Sequence, residues 1–145
     1  MNIQTITAKS KIKLIGVGLL GLLLNWFIWF GGFSLLIHHN MLLTPIHSEK
    51  QLLISGLFSP IFEELLFRDG LLPFFIRWGH FKKKNALLLS SLFFAFLHGQ
   101  PLFIGYFFIG GLIFGLIKLI SHDYYSSIVL HLLFNILTLS FSIYF

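Results

Sequence analysis

A chain of 145 residues that is 57% hydrophobic and only 10% charged, with a mean hydropathy of +0.89, falls far short of the roughly 25% charged content of a water-soluble domain, so lipid must take the place of water around it. The expected fold class is an all-α polytopic membrane helix bundle, a single domain of about five transmembrane or membrane-embedded segments. The absence of cysteine excludes disulfides, thiolate metal ligands and a cysteine nucleophile, and the net charge of +5 comes from short basic clusters beside apolar runs, a signature of membrane topology and not of nucleic-acid binding.

Residues 1–13 are polar and end in Lys9, Lys11 and Lys13, after which Leu14 to Ile37 runs for 24 residues without a charge. A secretory signal would have a shorter apolar core and a small-residue cleavage site, so a retained anchor helix over 14–37 is expected. Asn25 within it is expected to hydrogen-bond to another helix. His38 to Lys50 reads as a loop containing Pro45, with His38, His39 and His47 solvated.

The second apolar segment, Gln51 to about Leu66, opens the motif-bearing core over 51–145 and carries Glu63 and Glu64 side by side. A charge at the bilayer centre costs roughly 2.5–3.5 kcal/mol, so two adjacent carboxylates require a site or a pairing. Pro60 frees a backbone carbonyl and predicts a kink one turn before Glu63. Asp69, Gly70 and Pro73 predict a break, with Leu71 to Trp78 as a continuation or a short interfacial helix. Asn85 to His98 is a short third segment after Lys82, Lys83 and Lys84, and Gly99-Gln100-Pro101 is a turn. Leu102 to Ile120 forms a fourth, in which Gly105, Gly110, Gly111 and Gly115 permit close helix approach. Ser121 to Ser127, with Asp123, is a loop before the last segment, Ile128 to Phe145.

The basic residues predict orientation. With the amino terminus in the cytoplasm, Lys9, Lys11, Lys13, Arg77, Lys82, Lys83, Lys84 and Lys118 lie inside and only Lys50 outside, which puts the carboxyl terminus outside the cell membrane.

Glu64 and Arg68 are four residues apart and share a helix face, which leaves Glu63, about 100° round the helix, as the freer carboxylate. His131 and Asn135 also share a face. At the helical rise, Glu63 lies about 16 Å from the outer end of its segment, His98 about 20 Å from the inner end of its own, and His131 to Asn135 roughly 5–12 Å from the inner end of the last, so all can converge. Such a set supports hydrolysis in two ways. A carboxylate can take a proton from water while imidazole or amide groups stabilise the oxyanion, or two His and a carboxylate can hold a metal whose bound water attacks. The bland reading is a helix-pairing bridge plus interhelical hydrogen bonds; polar residues on three segments at matching depth favour a site. Ser90 and Ser91 are expected to pack and hydrogen-bond, not to act as nucleophiles.

Glu63-Glu64-Leu65-Leu66-Phe67-Arg68 resembles the EExxxR motif, Phe94 to His98 (FAFLH) the FxxxH motif and His131 to Asn135 (HLLFN) the HxxxN motif of the CPBP, or Abi, intramembrane proteases, in the order found there. That family includes CAAX prenyl-protein endopeptidases and bacterial proteins linked to bacteriocin processing or self-immunity. The resemblance, over about Ser55 to Phe145, implies an intramembrane endopeptidase acting on a membrane-associated or lipid-modified peptide or protein. Glu63 would activate the water, and Glu64 would assist it or pair with Arg68. His98, His131 and Asn135 would bind a metal or stabilise the oxyanion, with Phe94 packed beside them. The cofactor stays open between none and zinc, the latter held by Glu63, His98 and His131. The implied partners are membrane lipid and the substrate, with no nucleic acid. Two departures stand out: a single helix precedes the first motif, which points to a homodimer to complete the substrate cavity, and Asp69 follows Arg68 where a small residue is common. The alternatives are a non-catalytic membrane partner or bacteriocin-immunity protein, and a small transporter or haem protein.

Overall fold

The structure, a computed structural model, describes residues 6–31 and 53–144, with side chains to residue 140. His38, His39, His47 and Pro45, and the segment ends expected at Ile37, Gln51 and Phe145, lie outside the described residues. Among the described residues every regular element is helical.

Helix α1 spans Ala8–Gly31, its last turn widening at Phe27–Gly31. It starts six residues before Leu14 because Thr7 caps it: the Ser10 N–H donates to Thr7 Oγ1 at 3.3 Å, and Lys9, Lys11 and Lys13 join the first turns. Helix α2 covers residues 54–77 as a wide turn at Ile54–Phe58, an α-helical piece Ser59–Glu64, a second wide stretch Leu65–Leu71, and a final α-helical piece Leu72–Arg77. Asp69, Gly70 and Pro73 therefore do not break it. In the widened register the Leu72 N–H bonds to the Phe67 carbonyl, and Pro73, which has no N–H to give, enters the opening turn of the next α-helical piece.

Helix α3 is Lys83–Leu97, and α4 is Ile104–Ser121 after a 3-10 turn at Pro101–Phe103. The chain leaves α3 through Gly99, whose φ of +64° is the left-handed conformation that favours glycine. Helix α5, Tyr125–Tyr144, begins three residues before the expected Ile128 because Asp123 caps it; Asp123 Oδ1 accepts from the N–H groups of Tyr125 (3.0 Å) and Ser126 (2.8 Å).

The bundle buries polar groups beside its apolar core and exposes large apolar side chains. Glu64, Arg68, Ser90, Ser91, Ser127 and His131 are buried, while Val17, Leu20, Leu24, Phe93, Phe96 and Leu97 point outward. Lipid solvates apolar side chains and cannot satisfy polar ones, so the polar groups face each other. The apolar core takes Leu22 from α1, Phe67 from α2, Phe94 from α3, Phe114 and Ile117 from α4, and Leu130 and Phe134 from α5. By length and apolarity Ala8–Gly31 and Pro101–Ser121 are each able to cross a bilayer. Helices α3 and α4 approach closely at Gly111 and Gly115: a Cβ on Gly111 would stand 3.1 Å from Ser91 Cβ, and one on Gly115 would overlap Leu87 Cδ1. This contact brings Ser90 and Phe94 under the polar face of α2.

Lys11 Nζ lies 2.7 Å from Asp123 Oδ2, tying the start of α1 to the α4–α5 connection. Burial alone would raise the Asp123 carboxyl. The Lys11 ammonium and the Ser126 backbone and side-chain donors outweigh it and hold the group at about 2, below its ordinary 3.8. A depressed native value gives stability that is fully present above the unfolded value and is lost as the pH falls through the native one. Asp123→Asn, which keeps the cap shape without the charge, is expected to lower the thermal midpoint in detergent at neutral pH. That gap should close between the two carboxyl values, 3.8 and about 2. A gap constant across that range would contradict the assignment.

Candidate active site

The site begins with a local consequence of helix geometry. Ser59 and Glu63 are four residues apart, and Ser59 Oγ donates to Glu63 Oε1 at 2.5 Å. One carboxylate oxygen is thereby held, and the other, Oε2, is turned inward, where it is buried with no hydrogen-bond partner among the described residues. Two imidazoles face it. His98 Nε2, from the end of α3, is 3.8 Å away, and His131 Nε2, from α5, is 3.7 Å away.

Each ring is oriented from behind. His98 Nδ1 is 2.8 Å from the Phe94 carbonyl, which can only accept, so Nδ1 carries the hydrogen and Nε2 is the nitrogen presented to Glu63. The ring also stacks on Phe107, with centroids 4.0 Å apart. His131 Nδ1 lies 3.1 Å from Glu64 Oε1, and its ring stacks on Phe114 at 4.1 Å. Glu64 thus does more than the four-residue spacing predicted. Besides pairing with Arg68, whose Nε is 3.5 Å from Glu64 Oε2, it anchors His131.

The two glutamates differ in environment as well as partner. Glu64 and Arg68 are 0% and 1% exposed, whereas the Glu63 and His98 side chains keep 23% and 24% of their surface accessible. The Arg68 guanidinium sits 5.0 Å over the Phe94 ring, and its Nη1 donates to Ser90 Oγ at 3.5 Å; Ser90 Oγ in turn donates to the Phe67 carbonyl at 3.1 Å. Phe94 is therefore in contact with Arg68 and with both imidazoles, at 4.5 Å from His98 and 6.1 Å from His131. Ser90 hydrogen-bonds as expected, whereas Ser91 packs on Gly111 and its Oγ is buried with no hydrogen-bond partner among the described residues.

Asn135 has a use that the spacing to His131 does not reveal. Pro60 has no N–H for the Ser55 carbonyl five residues back in the wide turn, and Asn135 Nδ2 donates to that carbonyl at 3.1 Å. An amide nitrogen has two hydrogens, so one remains for the adjoining cavity, which Asn135 lines.

Glu63, His98, His131 and Asn135 share the wall of one cavity of about 540 Å³. Helix α1 closes its other side with Leu22, Asn25, Trp26 and Phe30. Asn25 makes the helix–helix hydrogen bond expected of it, Nδ2 donating to the Tyr106 carbonyl at 3.1 Å. Asp69 forms an ion pair with Lys118 that joins α2 to α4.

Among the described residues no group of three or more His, Cys, Asp or Glu side chains has the geometry of a metal site. The arrangement can hold a water. Glu63 Oε2 with an acceptor-presenting imidazole at its side is a seat for a molecule that donates hydrogens to both. Ser59, which sets the free oxygen of Glu63, went unnoticed in the sequence; its signal was the four-residue spacing to the glutamate, the same spacing that marks Arg68.

The family model described as "Type II CAAX prenyl endopeptidase Rce1-like" matches residues 46–137, a stretch that contains the whole constellation from Ser59 to Asn135. No curated protein and no solved structure is found similar to the chain.

Proposed function

The chain belongs to the Rce1-like family of type II CAAX prenyl endopeptidases, a membrane-embedded family, and from that premise we propose that it hydrolyses a peptide bond in a membrane-associated or lipid-modified peptide, using a water activated by Glu63. The observation that carries this reading is the convergence of His98 Nε2 and His131 Nε2 on the unpartnered Glu63 Oε2, at 3.8 and 3.7 Å, on the wall of a cavity.

Each residue then has a task. A water between Glu63 Oε2 and His98 Nε2 gives a proton to Glu63 as its oxygen attacks the scissile carbonyl carbon. The carbonyl π pair moves onto oxygen, and the remaining Asn135 amide hydrogen meets the developing charge, with the His131 ring as the neighbouring wall of the cavity. Glu63 returns the proton to the leaving nitrogen as the C–N bond breaks, which restores the carboxylate. Glu64 and Arg68 stay outside this exchange; their pairing orients His131. The aromatic walls, among them Trp26, Phe30, Phe103 and Phe107, suit the apolar part of a lipid-associated substrate. The basic end of the bundle, with the amino terminus, is assigned to the cytoplasmic side.

In this mechanism Glu63 takes the proton itself, so the step as written needs no metal. Protein reconstituted in liposomes is expected to cut a panel of prenylated and unmodified peptides at internal bonds, read by mass spectrometry. Dialysis against a chelator should leave the rate within about twofold. Loss restored by zinc would replace the water-only mechanism with a metal-bound water, and an uncut panel would favour a non-catalytic membrane partner.

A further inference from the structure

A second cavity, of about 380 Å³, lies between α2, α3 and α4 and shares no lining residue with the first. Its walls carry Arg68, Arg77, Lys83 and Lys118 against a single carboxylate, Asp69. Arg68 is matched by Glu64 and Lys118 by Asp69, so the positive charges of Arg77 and Lys83 are left without an acidic partner in the cavity. Arg68 is 1% exposed; its Nε faces Glu64 Oε2 at 3.5 Å and its Nη1 donates to Ser90 Oγ, while Nη2 is buried with no hydrogen-bond partner among the described residues. A guanidinium presents five donors in a planar fork that matches the oxygens of a phosphate. We propose that this cavity binds a phosphate group, with Arg68 at its floor and Arg77 and Lys83 at its mouth.

The surroundings say where such a group would come from. Trp78, Tyr124 and Tyr125 are exposed at the same end of the bundle, and Lys118 Nζ sits 4.3 Å over the Tyr124 ring. Exposed Trp and Tyr beside lysines mark the headgroup level of a bilayer, and basic pockets between membrane helices take anionic headgroups. The phosphodiester of an anionic phospholipid reaches this depth, and a free phosphate ion carries the same oxygens. The inference does not depend on proteolysis, because its readout is binding.

Native mass spectrometry of the full chain in neutral detergent, titrated with phosphatidylglycerol, phosphatidylcholine or inorganic phosphate, tests it. One phosphatidylglycerol is expected to remain bound in preference to phosphatidylcholine. The double variant Arg77→Gln/Lys83→Gln, both exposed positions, should weaken it about tenfold, whereas Lys9→Gln/Lys13→Gln, which removes the same charge elsewhere at that end, should not. Competition by inorganic phosphate would make the phosphate group sufficient; binding of phosphatidylglycerol without such competition would assign the site to lipid. Equal weakening by both double variants, or no response to either phosphate source, would overturn the proposal.

Discussion

Glu63→Gln is expected to lower peptide cleavage by about 10²- to 10⁴-fold, the usual contribution of a positioned general base, while leaving the folded protein intact. The substitution keeps the shape and the Ser59 contact, since a glutamine carbonyl oxygen still accepts from Ser59 Oγ in place of Glu63 Oε1. What it removes is the oxygen that takes the proton. Because Glu63 is partly accessible and carries no buried ion pair of its own with Arg68, the thermal midpoint should move little. Cleavage rate and melting curve from one preparation decide the matter: activity unchanged within error would remove Glu63 from the mechanism, and activity lost together with the fold would make its role structural. His98→Ala is a companion case, expected to lose activity through the water seat at a modest cost in stability, as the ring stacks on Phe107 but is not deeply buried.

Arg68→Ala should show the opposite pattern. It leaves Glu64, 0% exposed, as an unpaired charge in the bundle, and breaking a buried pair from one side costs about 3–5 kcal/mol. It also deletes the cation over the Phe94 ring and the donor to Ser90. Unfolding of the detergent-solubilised variant should show this loss directly. The double variant Glu64→Gln/Arg68→Met, with no charge left buried and the stem of the side chain retained, is expected to recover most of the stability. Its activity should remain low, because His131 Nδ1 then faces a neutral amide where the wild type has a carboxylate. Recovery of both together would mean that Glu64 serves the fold alone.

These two cases also mark how far the sequence reaches. Composition pointed to lipid around the chain, and uncharged apolar runs as long as Leu14 to Ile37, without the alternation of a barrel strand, pointed to helices, which satisfy their backbone within the segment. Spacing along a single helix was legible too: Glu64 and Arg68 pair because residues four apart meet on one face, whatever the rest of the protein does. Helix ends were less legible. The wide register of Leu65–Leu71 carried α2 past Asp69, Gly70 and Pro73, and the caps at Thr7 and Asp123 started α1 and α5 early. Local breaker signals compete with packing, and packing prevailed.

Relations between helices had no signature in any one segment. That Glu64 anchors His131, that Asn135 serves the carbonyl left over by Pro60, and that α1 walls the cavity with Asn25 and Trp26 depend on which faces meet and at what depth. Those choices follow from close approach at Gly111 and Gly115 and from the need of each buried polar group for a partner, conditions satisfied by the bundle as a whole. The sequence by itself determined the solvent, the helical class and the pairing of Glu64 with Arg68. Tertiary structure decided that the oxygen of Glu63 left over by Ser59 faces two imidazoles, because those rings come from separate helices.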